Sequence, residues 1–336
     1  MNAATKVAKP TVTIVAALAK AYQDAFAEDS KVITLGEDLA DPEGGGVIKI
    51  TKGLSTTYGD DRVRSTPISE QAIVGAAIGA SLAGYKPVAE IMLMNFTAVA
   101  MDMIVNHAAK LRFMSGGQTN VPIVIRTMTG TGMGSGGQHS DYLEAWYAHT
   151  AGIKVVAPST PEDAYGLLRS AIDDPDPVIF IENLPAYFPP MSMEMPASTH
   201  RVPLGKAAVQ IEGTDVTIVT YARMAIEARL AAAKAAEQGI SVEVIDLRTI
   251  APWDRETVLA SARKTGRVLI VHEAAKEHGV GAEIAAVISE SLFGQLKKPV
   301  KRLGGAFCAV PFSKPLEDAF APNEERILAA VKDIVS

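Results

Sequence analysis

Short apolar runs alternate with longer amphipathic segments from one end of this chain to the other. In the first half, the pattern predicts helices at 12–27, 72–82, 97–113, 142–149 and 161–171, and strands at 32–36, 62–65, 87–93, 121–126, 154–157 and 178–182. Strands that alternate with helices in this way are typical of parallel sheets covered by helices. The sequence therefore predicts an α/β fold.

A second series of the same kind follows a segment that breaks the pattern. Residues 184–203 are rich in proline and methionine and show little periodicity, which is typical of a linker. Beyond it, the predicted strands are 216–221, 242–247, 268–272 and 300–303, and the predicted helices are 225–237, 255–264 and 282–292. Two open parallel-sheet domains are therefore expected, at 1–188 and 204–336, with a linker at 189–203.

Composition narrows the class of protein without naming a reaction. Of the 336 residues, 48% are hydrophobic and 21% charged, and the formal net charge is −6, which argues against general nucleic-acid binding. The most apolar stretch, 72–84, is shorter than the ~20 residues that span a bilayer. The single cysteine, Cys308, rules out an internal disulfide and suits a reducing cytoplasm. A soluble cytoplasmic protein that binds neither nucleic acid nor membrane is expected.

The first candidate for chemistry is Glu70, which lies between a short predicted strand and a predicted helix. One face of that helix carries small residues such as Gly75, Gly79 and Ala83, which would let a large neighbour or another subunit approach closely. Two interpretations of Glu70 stay open. Its carboxylate stabilises the N-terminus of the helix by ~0.3–1 kcal/mol, or it lies in an apolar pocket and hydrogen-bonds a ring nitrogen of a cofactor.

The second candidate is the glycine-rich segment 130–137, between a predicted strand and a predicted helix. Gly132, Gly134 and Gly137 satisfy G-x-G-x-x-G, the spacing of a dinucleotide-binding loop. However, the next strand ends at Ala157 without the acidic residue that binds the ribose in such proteins. The alternative interpretation is a flexible loop, which needs glycines for the same steric reasons.

His139 follows this loop and precedes a predicted helix. It suits either a polar loop position or a proton donor and acceptor presented at the start of the helix. Asp141 and Glu144 have the spacing of a capping box, which predicts a structural role for both carboxylates. No P-loop, GxSxG or HExxH motif is present, so nucleotide-triphosphate, serine-nucleophile and zinc chemistry have no support.

Several segments, taken together, resemble one enzyme family. They are Gly59-Asp60 with Arg64-Ser65-Thr66-Pro67-Ile68-Ser69-Glu70, Met94-Asn95-Phe96, Asn106-His107-Ala108-Ala109-Lys110, Gln138-His139-Ser140 and Val271-His272-Glu273. In this order they resemble the β subunits of the thiamine-diphosphate-dependent 2-oxo acid dehydrogenases, the family of the pyruvate, branched-chain 2-oxo acid and acetoin enzymes. The resemblance runs through nearly the whole chain.

The resemblance implies a fold, a reaction and partners. The fold would be a thiamine-diphosphate pyrimidine-binding domain followed by a transketolase C-terminal-like domain. The reaction would be oxidative decarboxylation of a 2-oxo acid with acyl transfer to lipoamide on a dihydrolipoyl acyltransferase. The chain would work with an α subunit in an α2β2 heterotetramer.

The resemblance also assigns roles to individual residues. The glutamate matching Glu70 hydrogen-bonds the aminopyrimidine ring of thiamine diphosphate, and the aromatic residue matching Phe96 packs on that ring. Ile68 is the third expected cofactor-binding residue. The histidine matching His139 assists proton handling and reductive acylation of the lipoyl group. Glu70 and His139 are therefore expected to be catalytic.

Two metal ions belong to the family pattern. Mg²⁺ holds the diphosphate through a Gly-Asp-Gly motif, which this chain lacks because Gly59-Asp60-Asp61 has no second glycine. The α partner is expected to hold the Mg²⁺, and the β chain alone is expected to be inactive. Some members also bind K⁺, through positions that match Ile123, Ala171, Ile172, Asp174 and Asp176. The last position is usually Asn, so Asp176 departs from the pattern.

The leading interpretation is the β subunit of a pyruvate- or branched-chain-type 2-oxo acid dehydrogenase. The alternatives are an acetoin dehydrogenase β subunit, a lipoyl-independent thiamine-diphosphate carboligase and, from the glycine motif alone, an NAD-dependent dehydrogenase. Asn95-Phe96 is closer to the pyruvate type, whereas Val99 stands where that type often carries Gln. The sequence therefore does not name the substrate.

Overall fold

Two sheets, each parallel at its centre and covered by helices, form the body of the molecule. The structure, a computed structural model, describes residues 10–336. The strands are β1 (Thr11–Val12), β2 (Val32–Gly36), β3 (Val63–Ser65), β4 (Lys86–Leu93), β5 (Val124–Thr129), β6 (Lys154–Val156), β7 (Val178–Asn183), β8 (Met191–Ser192), β9 (Ala208–Ile211), β10 (Val216–Thr220), β11 (Val242–Asp246), β12 (Thr249–Ala251), β13 (Val268–Ala275) and β14 (Lys301–Gly305). The α-helices are α1 (Ile14–Glu28), α2 (Leu54–Tyr58), α3 (Glu70–Leu82), α4 (Leu111–Met114), α5 (Gly137–Ser140), α6 (Glu144–Ala148), α7 (Pro161–Asp173), α8 (Arg223–Ala236), α9 (Arg255–Thr265), α10 (Val280–Ser291), α11 (Lys314–Phe320) and α12 (Glu324–Val335).

The first sheet has seven strands in the order β12-β6-β7-β5-β4-β2-β3. Its neighbouring strands are parallel except at one edge, where β12 pairs antiparallel with β6 and places Thr249 opposite Val156. The strand β12 comes from the second half of the chain. The second half therefore contributes a strand to the sheet of the first.

The second sheet has the order β14-β13-β10-β11-β9. Its central strands are parallel, and β9 adds an antiparallel edge. The predicted open parallel sheets are thus correct for the central strands, while each sheet carries one antiparallel edge strand that the sequence pattern does not reveal. Mixed edges of this kind are common in large α/β sheets.

Helix α1 shows how the sequence specifies these layers. The Thr13 side chain accepts a hydrogen bond from the backbone N–H of Ala16 at 3.2 Å and so caps the N-terminus of the helix. Leu18, Tyr22 and Phe26 recur every four residues and are buried, so they form the apolar stripe with which α1 packs against α7 and the first sheet.

A continuous apolar cluster joins the two halves. It includes Ile125 and Tyr147 from the first half and Tyr221, Ile250 and Ile270 from the second, all of them buried. Burial of this many apolar side chains between the halves gives them a fixed relative placement.

The predicted helix at 97–113 is replaced by a series of shorter turns. A 3₁₀ turn covers Met94–Ala98 and a π-helical turn covers Met103–Ala108, before the short helix α4. The Thr97 hydroxyl donates to the carbonyl of Met94 at 2.5 Å, a local bond that tightens the first turn. Among residues 10–336, no helix combines the length and the apolar character needed to cross a bilayer.

Candidate active site

The carboxyl ends of neighbouring parallel strands bring the predicted site residues to one edge of the first sheet. Strands β3, β2, β4 and β5 are adjacent in this order and parallel. Ile68 and Glu70 follow β3, Phe96 follows β4, and His139 lies in the segment after β5. Ligands in open α/β sheets bind outside the carboxyl ends of the strands. These residues therefore border one candidate site, about three strand spacings or roughly 14 Å wide.

Glu70 is the first residue of α3 and is only 7% exposed. Ser69 precedes the helix but its side chain does not cap it. Glu70 is the acidic residue of the first turn. The carboxylate of Glu70 accepts no hydrogen bond from any group of residues 10–336. The carboxylate oxygens are not among the fully enclosed unpaired polar atoms of the described residues, so they reach the surface and are available to a hydrogen-bond donor from outside the chain.

Glu37, in the turn after β2, lies close enough to Glu70 for the two carboxyl groups to interact electrostatically. Burial raises the pKa of Glu37, and the negative charges of Glu70, Asp38 and Glu90 raise it further. Acidic groups thus concentrate at this edge of the sheet. Such a cluster favours ligand groups that donate hydrogen bonds or carry positive charge.

Two of the predicted site residues at this edge of the sheet are apolar. Phe96 lies on the 3₁₀ turn after β4 and is partly buried against the core. Ile68, in contrast, is 81% exposed. An exposed branched side chain beside a buried carboxylate provides apolar surface that a ring or a partner chain would cover.

His139 and Phe96 are in direct contact. Their rings are arranged edge to face, with centroids 5.5 Å apart and an interplanar angle of 76°. Asn95 joins the two segments, because its amide donates to the carbonyl of Gly137 at 3.0 Å and to the carboxylate of Asp141 at 2.8 Å. No role was predicted for Asn95 from the sequence, although its place directly before Phe96 was a signal.

Two glutamates from the second half of the chain hold the glycine-rich segment. The N–H and hydroxyl of Thr131 donate to Glu273 at 2.5 and 2.8 Å, and the N–H groups of Gly132 and Gly134 donate to Glu317 at 2.6 and 3.0 Å. These backbone donors would bind pyrophosphate in a dinucleotide-binding loop. Here carboxylates already occupy them and would repel a phosphate, so the geometry does not support NAD binding at this loop.

The predicted capping box at Asp141 and Glu144 is wrong. Helix α6 begins at Glu144 after Leu143, and no side chain caps it. Glu144 is fully buried and accepts a hydrogen bond from the hydroxyl of Tyr221 at 2.5 Å. Burial raises the pKa of Glu144 to about 7, although the bond from Tyr221 opposes that rise. Packing between the halves, rather than the local helix, determines the position of this carboxylate.

The predicted K⁺ ligands Ile123, Ala171, Ile172, Asp174 and Asp176 lie at the ends of α7, β7 and β5. The ammonium group of Lys154 lies 2.6 Å from the carboxylate of Asp174 and 3.2 Å from that of Asp176, and Arg112 binds Asp176 at 2.5 Å. Both carboxylates therefore already have cationic partners. Among residues 10–336, no group of three or more His, Cys, Asp or Glu side chains is arranged to hold a metal. The carboxylates of Asp174 and Asp176 are thus engaged by Lys154 and Arg112 rather than free for a cation, and binding of K⁺ to this chain stays a prediction.

Comparison with known proteins agrees with this geometry. Residues 10–189 match the model of the transketolase pyrimidine binding domain, and residues 205–327 match that of the transketolase C-terminal domain. The chain is 47% identical over 323 residues to the pyruvate dehydrogenase E1 component subunit beta-1, mitochondrial, of Arabidopsis thaliana, covering 96% of this chain and 88% of that one. The chain belongs to the β-subunit family of the thiamine-diphosphate-dependent 2-oxo acid dehydrogenases.

Other members of this β-subunit family are similar along their whole length. A 3-methyl-2-oxobutanoate dehydrogenase subunit beta of Mycobacterium tuberculosis is 42% identical, with 97% of this chain and 92% of that one covered. An acetoin:2,6-dichlorophenolindophenol oxidoreductase subunit beta of Cupriavidus necator is also 42% identical, with 96% of both chains covered. A solved split-gene transketolase, described as an inactive beta4 tetramer, has a TM-score of 0.77 at 23% identity and covers 97% of this chain and 99% of that one, which shows the shared fold.

Family membership confirms the predicted fold class and the predicted class of enzyme. The chain is a subunit of an oxidoreductase, with a pyrimidine-binding domain followed by a transketolase C-terminal domain. The roles of Glu70, Ile68, Phe96 and His139 stay predictions, as do the exact domain boundaries.

Proposed function

We propose that this β subunit belongs to a pyruvate- or branched-chain-type 2-oxo acid dehydrogenase and binds the pyrimidine half of thiamine diphosphate at the site described. One observation carries the proposal. Glu70 is a largely buried residue at the carboxyl edge of the sheet, and among residues 10–336 no group donates a hydrogen bond to its carboxylate. A ring nitrogen would supply the missing partner.

The residues present fit the pyrimidine half of this cofactor. When bound, thiamine diphosphate supplies the carbanion chemistry that decarboxylation of a 2-oxo acid requires. Glu70 would share a proton with a ring nitrogen and hold the ring in one orientation. Phe96 and Ile68 would cover its faces and exclude water, which strengthens the hydrogen bond to Glu70.

His139 has a different proposed role from that of Glu70. Its imidazole lies against Phe96 and is partly exposed, so it would reach the side of the site that a second substrate enters. A histidine in this position would move a proton to or from the lipoyl sulfur during acyl transfer. Lipoamide on a dihydrolipoyl acyltransferase is thus the proposed acceptor.

The site requires a partner chain to be complete. The sequence lacks a Gly-Asp-Gly motif, so an α subunit would hold Mg²⁺ and the diphosphate. Exposed apolar side chains around the site, including Ile68, Val99, Met133 and Phe312, support such a contact. We propose an α2β2 heterotetramer. The cytoplasm remains the expected compartment on account of the single cysteine, although the names of several relatives include "mitochondrial".

An acetoin-cleaving enzyme is the second candidate, because one relative with that activity in its name is 42% identical over nearly the full chain. A carboligase without the lipoyl step has the same site requirements. Substrate turnover, rather than any feature of Glu70 or Phe96, distinguishes these possibilities.

Reconstitution with an α chain is the direct test. We expect the co-expressed α–β pair to consume pyruvate, 3-methyl-2-oxobutanoate or acetoin, with strict dependence on thiamine diphosphate and an artificial electron acceptor. The β chain alone should be inactive because it lacks the residues that hold the diphosphate. Turnover of a substrate by the β chain alone with NAD would contradict the proposal.

Replacement of His139 separates the two steps of the reaction. In His139→Ala, we expect acyl transfer to a lipoyl domain to fall by about 10²–10⁴-fold, the usual contribution of a general acid or base. Dye-coupled decarboxylation should fall much less. His149→Ala, at an exposed histidine after α6, is the control. Equal losses in both assays would argue against the proposed division of roles.

A further inference from the structure

We infer that Glu273 and Glu317 form a carboxylate latch that positions the glycine-rich loop 130–137 and, through it, His139. The inference rests on the proposed function of His139. It assigns two positioning residues to the C-terminal domain, although the loop itself belongs to the pyrimidine-binding domain.

The two carboxylates of the latch accept hydrogen bonds from residues 131, 132 and 134 of the loop. Glu273 binds both donors of Thr131, and its second carboxylate oxygen accepts from the side-chain amide of Asn183 at 2.8 Å. Glu317 binds the N–H groups of the glycines at 132 and 134. Three backbone N–H groups held by two carboxylates fix the direction of the backbone more strictly than apolar packing does, because each bond depends on angle as well as distance.

Burial makes these bonds strong. Glu273 and Glu317 are each 3% exposed, and water does not compete effectively for such groups. The guanidinium group of Arg223 donates to the carbonyl of Thr131 at 2.8 Å and lies 3.9 Å from Glu273, which adds a cation to the cluster. Charge-assisted bonds from N–H groups offset the cost of burying the two carboxylates.

The conformation of the loop explains why it needs its glycines. Gly130, Gly132, Gly134 and Gly136 have φ values of +126°, +112°, +66° and +72°, a region that side chains disfavour. A Cβ atom at Gly136 would also lie 2.4 Å from the ring of Phe312. The absence of a side chain at Gly136 therefore permits the contact with the second domain. A segment so rich in glycine has great conformational freedom once its hydrogen bonds are lost.

Loss of the latch would be transmitted to His139 through a short path. The loop ends at Gly137, whose carbonyl accepts from Asn95, and His139 follows two residues later within the same short helix. We expect a loosened loop to weaken the contact between His139 and Phe96 without removing any group that touches the pyrimidine site.

Glu317→Gln tests the latch in the assembled α–β complex. The amide keeps the shape of the side chain but removes its charge. We expect hydrogen exchange at the N–H groups of 132 and 134 to become at least about tenfold faster, as loss of a charge-assisted bond implies. Asp318→Asn is the matched control, because Asp318 is the next residue of α11 and its carboxylate pairs with Lys314 at the surface. Exchange at the loop should be unchanged in that control.

Activity supplies the second measurement. In Glu317→Gln we expect acyl transfer to a lipoyl domain to fall at least about tenfold, with dye-coupled decarboxylation reduced less than about threefold. Unchanged exchange in the loop would overturn the latch. Faster exchange with undiminished acyl transfer, while His139→Ala abolishes that transfer, would overturn the positioning role.

Two further results keep the test decisive. If Glu317→Gln does not assemble with its partner, Glu317→Asp keeps the charge and withdraws the carboxylate by one methylene, and the same pattern is expected with a smaller amplitude. Undiminished acyl transfer in His139→Ala refutes the proposed function of that histidine. The exchange rates still decide separately whether the latch holds the loop.

Discussion

Glu70→Gln is expected to lower the turnover of the reconstituted α–β pair by about 10²–10⁴-fold. The amide keeps the size of the side chain but does not share a proton with a ring nitrogen as a carboxyl group does. Assembly should be unaffected, because within residues 10–336 no hydrogen bond depends on this carboxylate. Steady-state turnover with an artificial acceptor and size-exclusion chromatography measure the two effects.

Glu256→Gln provides the control for this experiment. Glu256 is the acidic residue in the first turn of α9 and is exposed, so the variant makes the same chemical change at a comparable position in another helix. It separates a catalytic effect from the loss of a favourable charge at a helix N-terminus, which is worth only ~0.3–1 kcal/mol. Full turnover in Glu70→Gln would refute the role proposed for Glu70.

The sequence allows the location of this site to be predicted because the site depends on local order along the chain. Strand β2 was predicted at the residues where it occurs, and Glu70 follows a short strand, as expected. Helix α3 begins at Glu70, two residues before the predicted start. In a parallel sheet, the residues that follow the carboxyl ends of the strands all lie at the same edge of the sheet. The order of strands and motifs is therefore sufficient to bring Glu70, Phe96 and His139 to one side.

The contacts between domains were not predictable in the same way. Strand β12 pairs with β6, a segment that lies far away in sequence, and three residues without a clear alternation give no signal of such pairing. Glu317 lies in a short charged segment that is typical of a solvent-exposed helix. Only the fold places its carboxylate against the glycine-rich loop.

The sequence at the start of the last helix, in contrast, contains a pattern that indicates a helix. Asn323 caps α12 by accepting from the N–H of Arg326 at 3.0 Å, and Glu324 and Glu325 follow in the first turn. An Asn followed by acidic residues and an apolar stripe is a standard helix start. The sequence pattern was thus sufficient to predict α12, although no helix was predicted there.

A buried ionic cluster beneath the site is the other feature with a large expected effect. Arg126 on β5 pairs with Glu90 on β4 and with Glu182 on β7, and the hydroxyl of Tyr187 donates to Glu182. The Arg126 side chain is only 5% exposed, and that of Glu182 is fully buried. One guanidinium group therefore compensates two carboxylates at the centre of the sheet that carries the candidate site.

Arg126→Met is expected to lower the free energy of unfolding by about 3–5 kcal/mol, because it leaves Glu90 and Glu182 buried without a cation. Chemical denaturation at neutral pH measures this loss, and Lys314→Met, at an exposed ion pair, should change stability little.

The pH dependence of this loss distinguishes the effect of charge from the effect of packing. Burial already raises the pKa of Glu90 above 4.5, and Arg126 opposes that rise. Without Arg126 the pKa rises further, so the folded state binds a proton more tightly than the unfolded chain does. The loss of stability should therefore shrink as the pH falls from about 8 to about 5. A loss that is independent of pH would point to packing alone.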